Sequence, residues 1–303
     1  MKVFKYKKKL ADNSHLPKKI KKVFVSHAYP DNSFKFWLAD KINSGTKLVH
    51  GQHGAGYNIY KDFFATFHEL GISDFFFTWG WKNNNKKIVP VGNYLINKKK
   101  KAKLSYGKKI LLVLPAATIF KRTGEIFYAD SLTEDAIEYQ KFLDNIDSNL
   151  LDNINIRNHP AVKRRDLDFI NFVTFDKKKI KNQNSNISFD KSIINHGLVI
   201  FNYLSTEFFK LMSLDVPCIL LLNKNIFNHC VDDKAKEDFY KLSKIGVFYT
   251  SGKDLAKQVN KISSNTKDWW NKENSSIVKK EFCTKHSNSN FDTKLFVNKL
   301  NKL

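Results

Sequence analysis

A glycine-rich segment with two histidines is the first part of this sequence that could do chemistry. The segment, His50–Tyr57, reads HGQHGAGY and directly follows a short apolar stretch predicted to be a strand. His50 and His53 can both move protons near neutral pH. Because glycine has no Cβ that would clash, the backbone can turn tightly and approach a ligand closely at Gly51, Gly54 and Gly56. Open α/β sheets bind ligands at the carboxyl ends of their strands, so a functional turn is predicted, with a purely structural turn as the alternative.

A second candidate set, Arg157–Pro160 (RNHP), follows another predicted strand. Arg157 offers a fork of donors suited to phosphate, and His159 can donate to phosphate or to a nucleotide base. Pro160 fixes the direction in which the chain leaves the strand. The alternative is a solvated strand end with no ligand.

The third set, Asn202–Glu207 (NYLSTE), lies between the buried segment Leu198–Phe201 and an amphipathic helix. Ser205 or Thr206 fits the N-cap position of that helix. A helix start exposes backbone N–H groups and the positive end of the dipole, which together favour phosphate binding. An ordinary cap that serves only the helix is the alternative.

Short apolar segments alternate with longer amphipathic ones, which predicts βαβ units and a mostly parallel sheet. The predicted strands are 22–27, 47–50, 75–78, 109–115, 153–157, 198–201, 218–222 and 247–249. The predicted helices are 33–42, 62–70, 134–146, 206–214, 253–262 and 267–282. A polar, basic stretch at 93–108 is predicted to be an interdomain linker, and residues 178–190 a surface loop.

The chain has 303 residues and a formal net charge of +23. Such a charge suits nucleic acid, an anionic membrane surface or a phosphate-bearing substrate, and a compositional bias towards lysine is the simplest alternative. The lysines are spread along the sequence instead of forming one aromatic-lined patch, which disfavours specific nucleic-acid binding. No apolar run approaches the roughly 18 to 20 residues of a membrane span, so a cytoplasmic protein is expected.

Neither a metal nor a cofactor is expected. The sequence has no His/Asp/Glu cluster with ligand spacing and no Asp-x-Asp, and the nearest acidic pair is Asp232-Asp233. Its three cysteines show no metal-ligand spacing, and their odd number argues against a disulfide framework.

Taken in order, several motifs resemble a family of transferases from bacterial surface-carbohydrate and O-antigen loci that belongs with the GT-B glycosyltransferases. The motifs are KFWLA at Lys35–Ala39, GTKLVHGQHG at Gly45–Gly54, ISD at Ile72–Asp74, TWGW at Thr78–Trp81, KILLVL at Lys109–Leu114, Ser205-Thr206 with Pro217, Trp269-Trp270 and Phe282-Cys283. The resemblance covers roughly residues 20 to 290. More distantly, the glycine-flanked histidine resembles that of teichoic-acid glycerophosphotransferases, and the His-Pro and Ser/Thr pairs resemble capsule Kdo- and sialyl-transferases that use CMP-sugars.

The resemblance implies an α/β fold of two Rossmann-like domains with mostly parallel sheets and a shortened N-terminal domain. The expected parts are an acceptor-side domain at 1–97, a linker at 98–108, a nucleotide-sugar-binding domain at 109–266 and C-terminal helices at 267–303 that brace the first domain. The turn with His50, Gly51, Gln52, Gly54 and Gly56 is expected on the acceptor side.

The residues expected to hold the donor are Arg157, His159, Pro160, Asn202, Ser205, Thr206 and Glu207. Lys210 stands where the family tends to carry a glutamate, and Glu207 is the expected substitute. His53 is the expected general base. His50 closes a strand and is more easily buried, whereas the missing Cβ of Gly54 is expected to leave room for an acceptor hydroxyl beside the His53 ring.

The resulting prediction is a metal-independent glycosyltransferase that moves a sugar from a nucleotide-activated donor, such as CMP-Kdo, to a surface-polysaccharide or lipid-linked acceptor. A CDP-polyol phosphotransferase of the same fold, an inactive family member and a basic nucleic-acid-binding protein stay open as alternatives. The expected partners are the donor and a glycan or lipid-linked acceptor, with peripheral contact to the anionic inner face of the membrane.

Overall fold

The computed structural model describes residues 5–6, 8–9, 15–26, 32–96, 109–117, 129–159, 167–176, 178–183 and 187–303. Within these residues the chain forms two separate parallel sheets with helices packed around them. The strands are β1 (Lys22–Val25), β2 (Lys47–Gly51), β3 (Phe75–Thr78), β4 (Ile88–Pro90), β5 (Ile110–Val113), β6 (Ala116–Ala117), β7 (Ile154–Arg157), β8 (Leu167–Asp168), β9 (Lys181–Asn182), β10 (Leu198–Phe201), β11 (Cys218–Leu221) and β12 (Phe248–Tyr249).

The helices alternate with the strands, as the sequence pattern predicts. They are α1 (Asn32–Asn43), α2 (Phe64–Ile72), α3 (Ala129–Asn145), α4 (Phe189–Ser192), α5 (Thr206–Ser213), α6 (Asp233–Lys244), α7 (Gly252–Ile262), α8 (Thr266–Trp270), α9 (Glu273–His286) and α10 (Thr293–Asn301). Shorter 3₁₀ or π turns lie at Ser148–Asn153, Phe169–Phe172, Ile193–Asn195 and Ile226–Cys230.

The first sheet has four parallel strands in the order β1-β2-β3-β4. The second has six parallel strands in the order β12-β11-β10-β5-β7-β9, with a small antiparallel β6-β8 pair beside it. Counted along the chain from β5, the six strands follow the 3-2-1-4-5-6 order of a doubly wound Rossmann sheet. The order reverses between β5 and β10, and ligands bind at such switch points.

The central strands of the second sheet are buried on both faces. Every residue of β5, β10 and β11 is buried. Their side chains are almost all aliphatic or aromatic, as expected where helices cover both sides of a parallel sheet.

The chain returns to the first sheet after α9. Phe291, Leu295 and Phe296 pack on a cluster that contains Val49 and Phe77. The backbone N–H of Asn288 donates to the Trp79 carbonyl at 2.7 Å. The Ser213 hydroxyl of α5 donates to the Ser287 hydroxyl at 2.8 Å, so the C-terminal segment contacts both halves of the molecule.

The structure corrects one sequence-based prediction and describes the start of another predicted segment. The predicted helix 267–282 is two helices, because α8 ends at Trp270 and α9 begins at Glu273. The start of the predicted linker, Asn93–Ile96, is packed: Asn93 is buried and its side chain donates to the Ser287 hydroxyl at 3.0 Å. Residues 98–108 lie outside the described residues.

No described helix combines the length and the apolar character needed to cross a membrane.

Candidate functional site

A cavity of about 580 Å³ lies at the carboxyl ends of β5, β7 and β10, at the switch point of the second sheet. One residue of its wall, Ala55, comes from the glycine-rich turn of the first half. The other wall residues belong to the second half: Val113, Arg157, Asn158, His159, Ile187, Ser188, Phe189, Tyr203, Leu204, Ser205, Thr206 and Glu207. The cavity is therefore bounded by both halves of the chain.

The start of α5 forms one side of the cavity. Ser205 is the N-cap, with φ −109° and ψ 156°, and its hydroxyl accepts a hydrogen bond from the Phe208 N–H at 3.1 Å. The N–H groups of Thr206 and Glu207 belong to the first turn, where no intrahelical acceptor exists. Together with the helix dipole, they make this side of the cavity favourable for an anion.

Arg157 builds another wall of the cavity. Its buried guanidinium donates to the Ser192 hydroxyl at 2.6 Å and to the Ile187 carbonyl at 2.7 Å. These bonds hold the segment that carries Ser188 and Phe189 against β7. The predicted surface loop 178–190 differs from the structure at its end, where α4 begins at Phe189, and residues 187–189 line the cavity. Two of the five N–H donors of Arg157 are committed to this wall.

Glu207 lies on the cavity wall and pairs with Lys210, whose Nζ is 3.4 Å from Glu207 Oε2. Lys210 also forms an ion pair with Asp190 of α4. Burial raises the pKa of Glu207, although the nearby Lys210 and Arg157 charges act in the opposite direction. The position at which the family tends to carry a glutamate is therefore a cation here that neutralises two carboxylates.

Of the remaining predicted donor residues, one lines the cavity, one is buried away from it, and one lies outside the described residues. His159 lines the cavity, and its ring lies edge-on to Tyr203 with 6.5 Å between centroids. Asn202 is buried behind the wall and does not line the cavity. Pro160 lies outside the described residues.

The glycine-rich turn is fixed to the first sheet by Gln52. Its side-chain carbonyl accepts from the Trp79 backbone N–H at 3.0 Å and from the Trp81 indole at 2.8 Å. Its amide donates to the Gly54 carbonyl at 3.1 Å. These bonds connect the GQHG motif to the TWGW motif and explain why both occur in one sequence.

Two of the three glycines of the turn, Gly54 and Gly56, are required for different structural reasons. Gly56 has φ +99°, a conformation that side chains disfavour. A Cβ at Gly54 would lie 3.3 Å from the Thr206 hydroxyl. The space beside Gly54 therefore faces the start of α5, and room for an acceptor hydroxyl beside the His53 ring stays a prediction.

His50 is fully buried, and its Nδ1 lies 2.8 Å from the Ser73 hydroxyl. Burial, together with the neighbouring His68 and His53, lowers the pKa of His50 to about 4. The ring is neutral at physiological pH and is held inside the sheet, as its position at a strand end suggests.

His53 is partly exposed, and its Nδ1 lies 2.7 Å from the Tyr57 hydroxyl. That hydroxyl donates to Glu69 Oε2 at 2.9 Å, and Glu69 Oε1 is 3.8 Å from His53 Nδ1. Glu69 belongs to α2 and is fully buried. His53 is not itself part of the cavity wall, but it precedes Gly54 and Ala55, which face α5 and the cavity.

A sequence model described as LIC12162 family transferase matches residues 2–300. The chain belongs to this family. The resemblance of the GQHG and TWGW motifs to surface-carbohydrate transferases is confirmed in this broad form. A comparison with curated protein sequences gives no match.

Solved structures similar to this LIC12162 family transferase have very different sequences. One, from Listeria monocytogenes, is assigned as a UDP-N-acetylglucosamine 2-epimerase; it has 11% identity and TM-score 0.53, with 97% of this chain and 75% of that chain covered. The trehalose-6-phosphate synthase OtsA has 10% identity and TM-score 0.51, with 99% and 76% covered. An α,α-trehalose-phosphate synthase (UDP-forming) from Burkholderia vietnamiensis has 9% identity and TM-score 0.50, with 99% and 78% covered. These similarities confirm the GT-B fold of two Rossmann-like domains.

Sequence reasoning missed several residues around the site of this LIC12162 family transferase. Glu69 could have been noticed as a single acidic residue in the apolar helix FATFHELGI. Tyr57 and Tyr203 had no signal beyond their proximity to the motifs, because aromatic residues in such positions usually belong to the core. Ser188 and Phe189 lie in a stretch whose composition resembles a surface loop.

Proposed function

We propose that this transferase moves a sugar from a nucleotide-activated donor to a hydroxyl group of a surface-polysaccharide or lipid-linked acceptor. The observation that supports this most directly is the cavity at the switch point, where the start of α5 faces the histidine-bearing turn of the other half. An anion site beside a titratable group is what transfer from a phosphate leaving group requires.

The donor phosphate is placed at the first turn of α5, against the N–H groups of Thr206 and Glu207. His159, which also lines the cavity, would donate to the phosphate or to the nucleotide base, and Arg157 adds positive charge. A donor of the CMP-sugar type, such as CMP-Kdo, fits this proposal because a single phosphate needs only one anion site.

In the proposed reaction, His53 accepts the proton of the acceptor hydroxyl. The oxygen forms a bond to the anomeric carbon as the bond from that carbon to the phosphate oxygen breaks, and the electron pair leaves with the nucleotide. The N–H groups of α5 and the cationic side chains stabilise the charge on the departing phosphate, so that the proposed chemistry needs no divalent metal.

Saturation-transfer NMR with a panel of nucleotides, followed by donor consumption with the matching nucleotide-sugars, tests the proposal. We expect one nucleotide to show contacts and its sugar conjugate to be consumed, with Thr206 variants weakening both. Consumption of a CDP-polyol in place of every nucleotide-sugar would instead assign a phosphotransferase. Absence of binding by the whole panel would contradict the proposal.

A further inference from the structure

Glu69 is a buried carboxylate directly beneath the glycine-rich turn. It has no solvent exposure and lies in α2, whose other residues are mostly apolar. A buried carboxylate is costly unless neighbouring groups compensate its charge. Its Oε2 accepts from the Tyr57 hydroxyl, and its Oε1 faces His53 Nδ1 at 3.8 Å. The negative charge of Glu69 therefore lies close to His53.

Tyr57 lies between His53 and Glu69, and packing restricts the position of its side chain. Its ring is buried and packs against Phe63 and Phe76, with centroid separations of 5.0 and 5.7 Å. Its hydroxyl lies 2.7 Å from His53 Nδ1 and 2.9 Å from Glu69 Oε2. The hydroxyl is therefore held between an imidazole nitrogen and a carboxylate.

The direction of these two hydrogen bonds follows from the donors available. A carboxylate can only accept, so the Tyr57 hydroxyl proton points to Glu69. The Tyr57 oxygen then accepts from His53 Nδ1, which must carry the proton of the neutral ring. The lone pair of the imidazole is consequently on Nε2.

We propose that Glu69 and Tyr57 are positioning residues that hold His53 in the tautomer with the proton on Nδ1 and the basic lone pair on Nε2. When Nε2 takes a proton, the nearby Glu69 charge stabilises the imidazolium. The role of this lone pair in catalysis rests on the proposed function, whereas the tautomer itself does not. A carboxylate that orients a histidine base is an arrangement that recurs on unrelated folds.

His50 lies on the same turn, but its hydrogen-bond partner differs from that of His53. Its Nδ1 contacts the Ser73 hydroxyl, which donates to the main-chain carbonyl of Glu69 instead of to its carboxylate. Burial lowers the pKa of His50 to about 4, so this ring stays neutral. The carboxylate of Glu69 therefore distinguishes His53 from His50.

The direct test is the ¹⁵N NMR spectrum of the full chain labelled with ¹⁵N-histidine, recorded near pH 8. The nine histidines give separate signals, and His53 is identified by the signal lost in His53→Ala. We expect the proton of His53 on Nδ1 in the wild type. In Glu69→Gln, the amide can donate to the Tyr57 oxygen and reverse the chain of bonds, which moves the proton of His53 to Nε2. Tyr57→Phe keeps the packed ring and gives a mixture of tautomers.

His196 serves as an internal standard for these spectra. Its Nδ1 is 2.6 Å from the Ser192 main-chain carbonyl in the second half, so its tautomer is fixed and unrelated to Glu69. A wild-type His53 with its proton on Nε2, or a tautomer unchanged in both variants, would overturn the proposal. If Glu69→Gln fails to fold, Tyr57→Phe alone tests the proposal, because loss of the hydroxyl that accepts from Nδ1 should change a single tautomer into a mixture.

Turnover gives the second readout. Both variants should lower kcat, with Glu69→Gln losing about 100-fold or more, while the KM for the donor stays within about twofold, since a positioned base contributes about 10²- to 10⁴-fold to the rate. If the wild type consumes no donor, the proposed function fails, and the NMR result still decides the tautomer. If donor turnover is present and unaffected in both variants, the positioning role is wrong while the function stands.

Discussion

A single imidazole, His53, is expected to carry the proton transfer of the proposed reaction. His53→Ala should lower turnover by at least about 100-fold, because a general base contributes about 10²- to 10⁴-fold. Nucleotide affinity should stay nearly unchanged, since the proposed phosphate contacts lie on α5 and β7. The measurements are donor consumption and nucleotide titration.

The matched control is His68→Ala, which removes an exposed histidine that stacks on Phe64 of α2. It should leave turnover unchanged. Loss of turnover in His50→Ala with full turnover in His53→Ala would reverse the assignment.

Gln52 is expected to stabilise the fold by connecting the turn to the TWGW motif. Gln52→Ala leaves the buried Trp79 N–H and the Trp81 indole without their acceptor. An unsatisfied buried donor costs about 1–3 kcal/mol, so the free energy of unfolding should fall by at least that amount in a urea titration. Gln140→Ala is the control: its side chain also accepts a backbone N–H, but in an exposed place where water replaces it. Equal losses in the two variants would contradict this account.

Individual residues of the site could be predicted only where local sequence determines their environment. The burial of His50 followed from its place at a strand end. Glu69 comes from a helix that is distant in sequence, and only the packing of α2 under the turn brings its carboxylate to Tyr57 and His53. The contact of Gly54 with Thr206 depends on how the two halves meet, which no local pattern encodes.

The start of α5 is expected to bind phosphate through its backbone. Thr206→Pro deletes one N–H but suits the first helical position, and the extended conformation of Ser205 is compatible with a following proline. Nucleotide affinity should fall by about tenfold, the loss of one charge-assisted hydrogen bond. Thr206→Val keeps the N–H, removes only the hydroxyl and should bind more tightly than Thr206→Pro. Equal affinities would show that this N–H does not contact the ligand.

The connection of α3 to the end of β11 should make stability depend on pH. The Asp135 carboxyl accepts from the Asn223 amide at 2.7 Å, and burial raises the pKa of Asp135 to about 8. The folded state thus keeps a proton that the unfolded state releases near pH 4, and this stabilising contribution is lost as pH rises from about 4 to 8. Relative to Asp135→Asn, the wild type should lose up to about 1.4 kcal/mol of unfolding free energy per pH unit in that range. A difference between the two proteins that does not change with pH would contradict the buried, protonated carboxyl.

Most of the helices and strands could be predicted from apolar periodicity. Strands Phe75–Thr78 and Leu198–Phe201 have the predicted bounds. The three-residue strand Ile88–Pro90 was missed because it is too short to show alternation. Helix α6 was missed because its lysine-rich sequence resembles the surface loops of a basic protein, whereas α10 lies within the C-terminal helices expected at 267–303.

The two halves are joined beside the candidate site by main-chain contacts. Tyr60 and Val231 form an isolated antiparallel bridge, with the Lys61 N–H donating to the Cys230 carbonyl and the Asp232 N–H to the Ile59 carbonyl, each at 2.7 Å. These bonds begin only three residues beyond Gly56, at Ile59. The glycine-rich turn is therefore held in a defined position relative to the second half.

The proposed reaction is expected to proceed without a divalent metal. In the proposed site, the positive end of the α5 dipole and the Arg157 guanidinium supply positive charge, and His159 is expected to donate a hydrogen bond to the leaving phosphate. Turnover should be the same in EDTA as in its absence. Loss of turnover in EDTA that manganese or magnesium restores would contradict this mechanism.

The most direct test of the proposed donor site is hydrogen exchange of the full chain with and without the nucleotide that binds. We predict slower exchange at residues 203–209 and 154–159, because the proposed phosphate site lies between the start of α5 and the end of β7, which both line the cavity. Amides at 45–80 should change little with nucleotide alone, since the turn is placed on the acceptor side. Protection confined to 45–80, with none at the start of α5, would contradict the account.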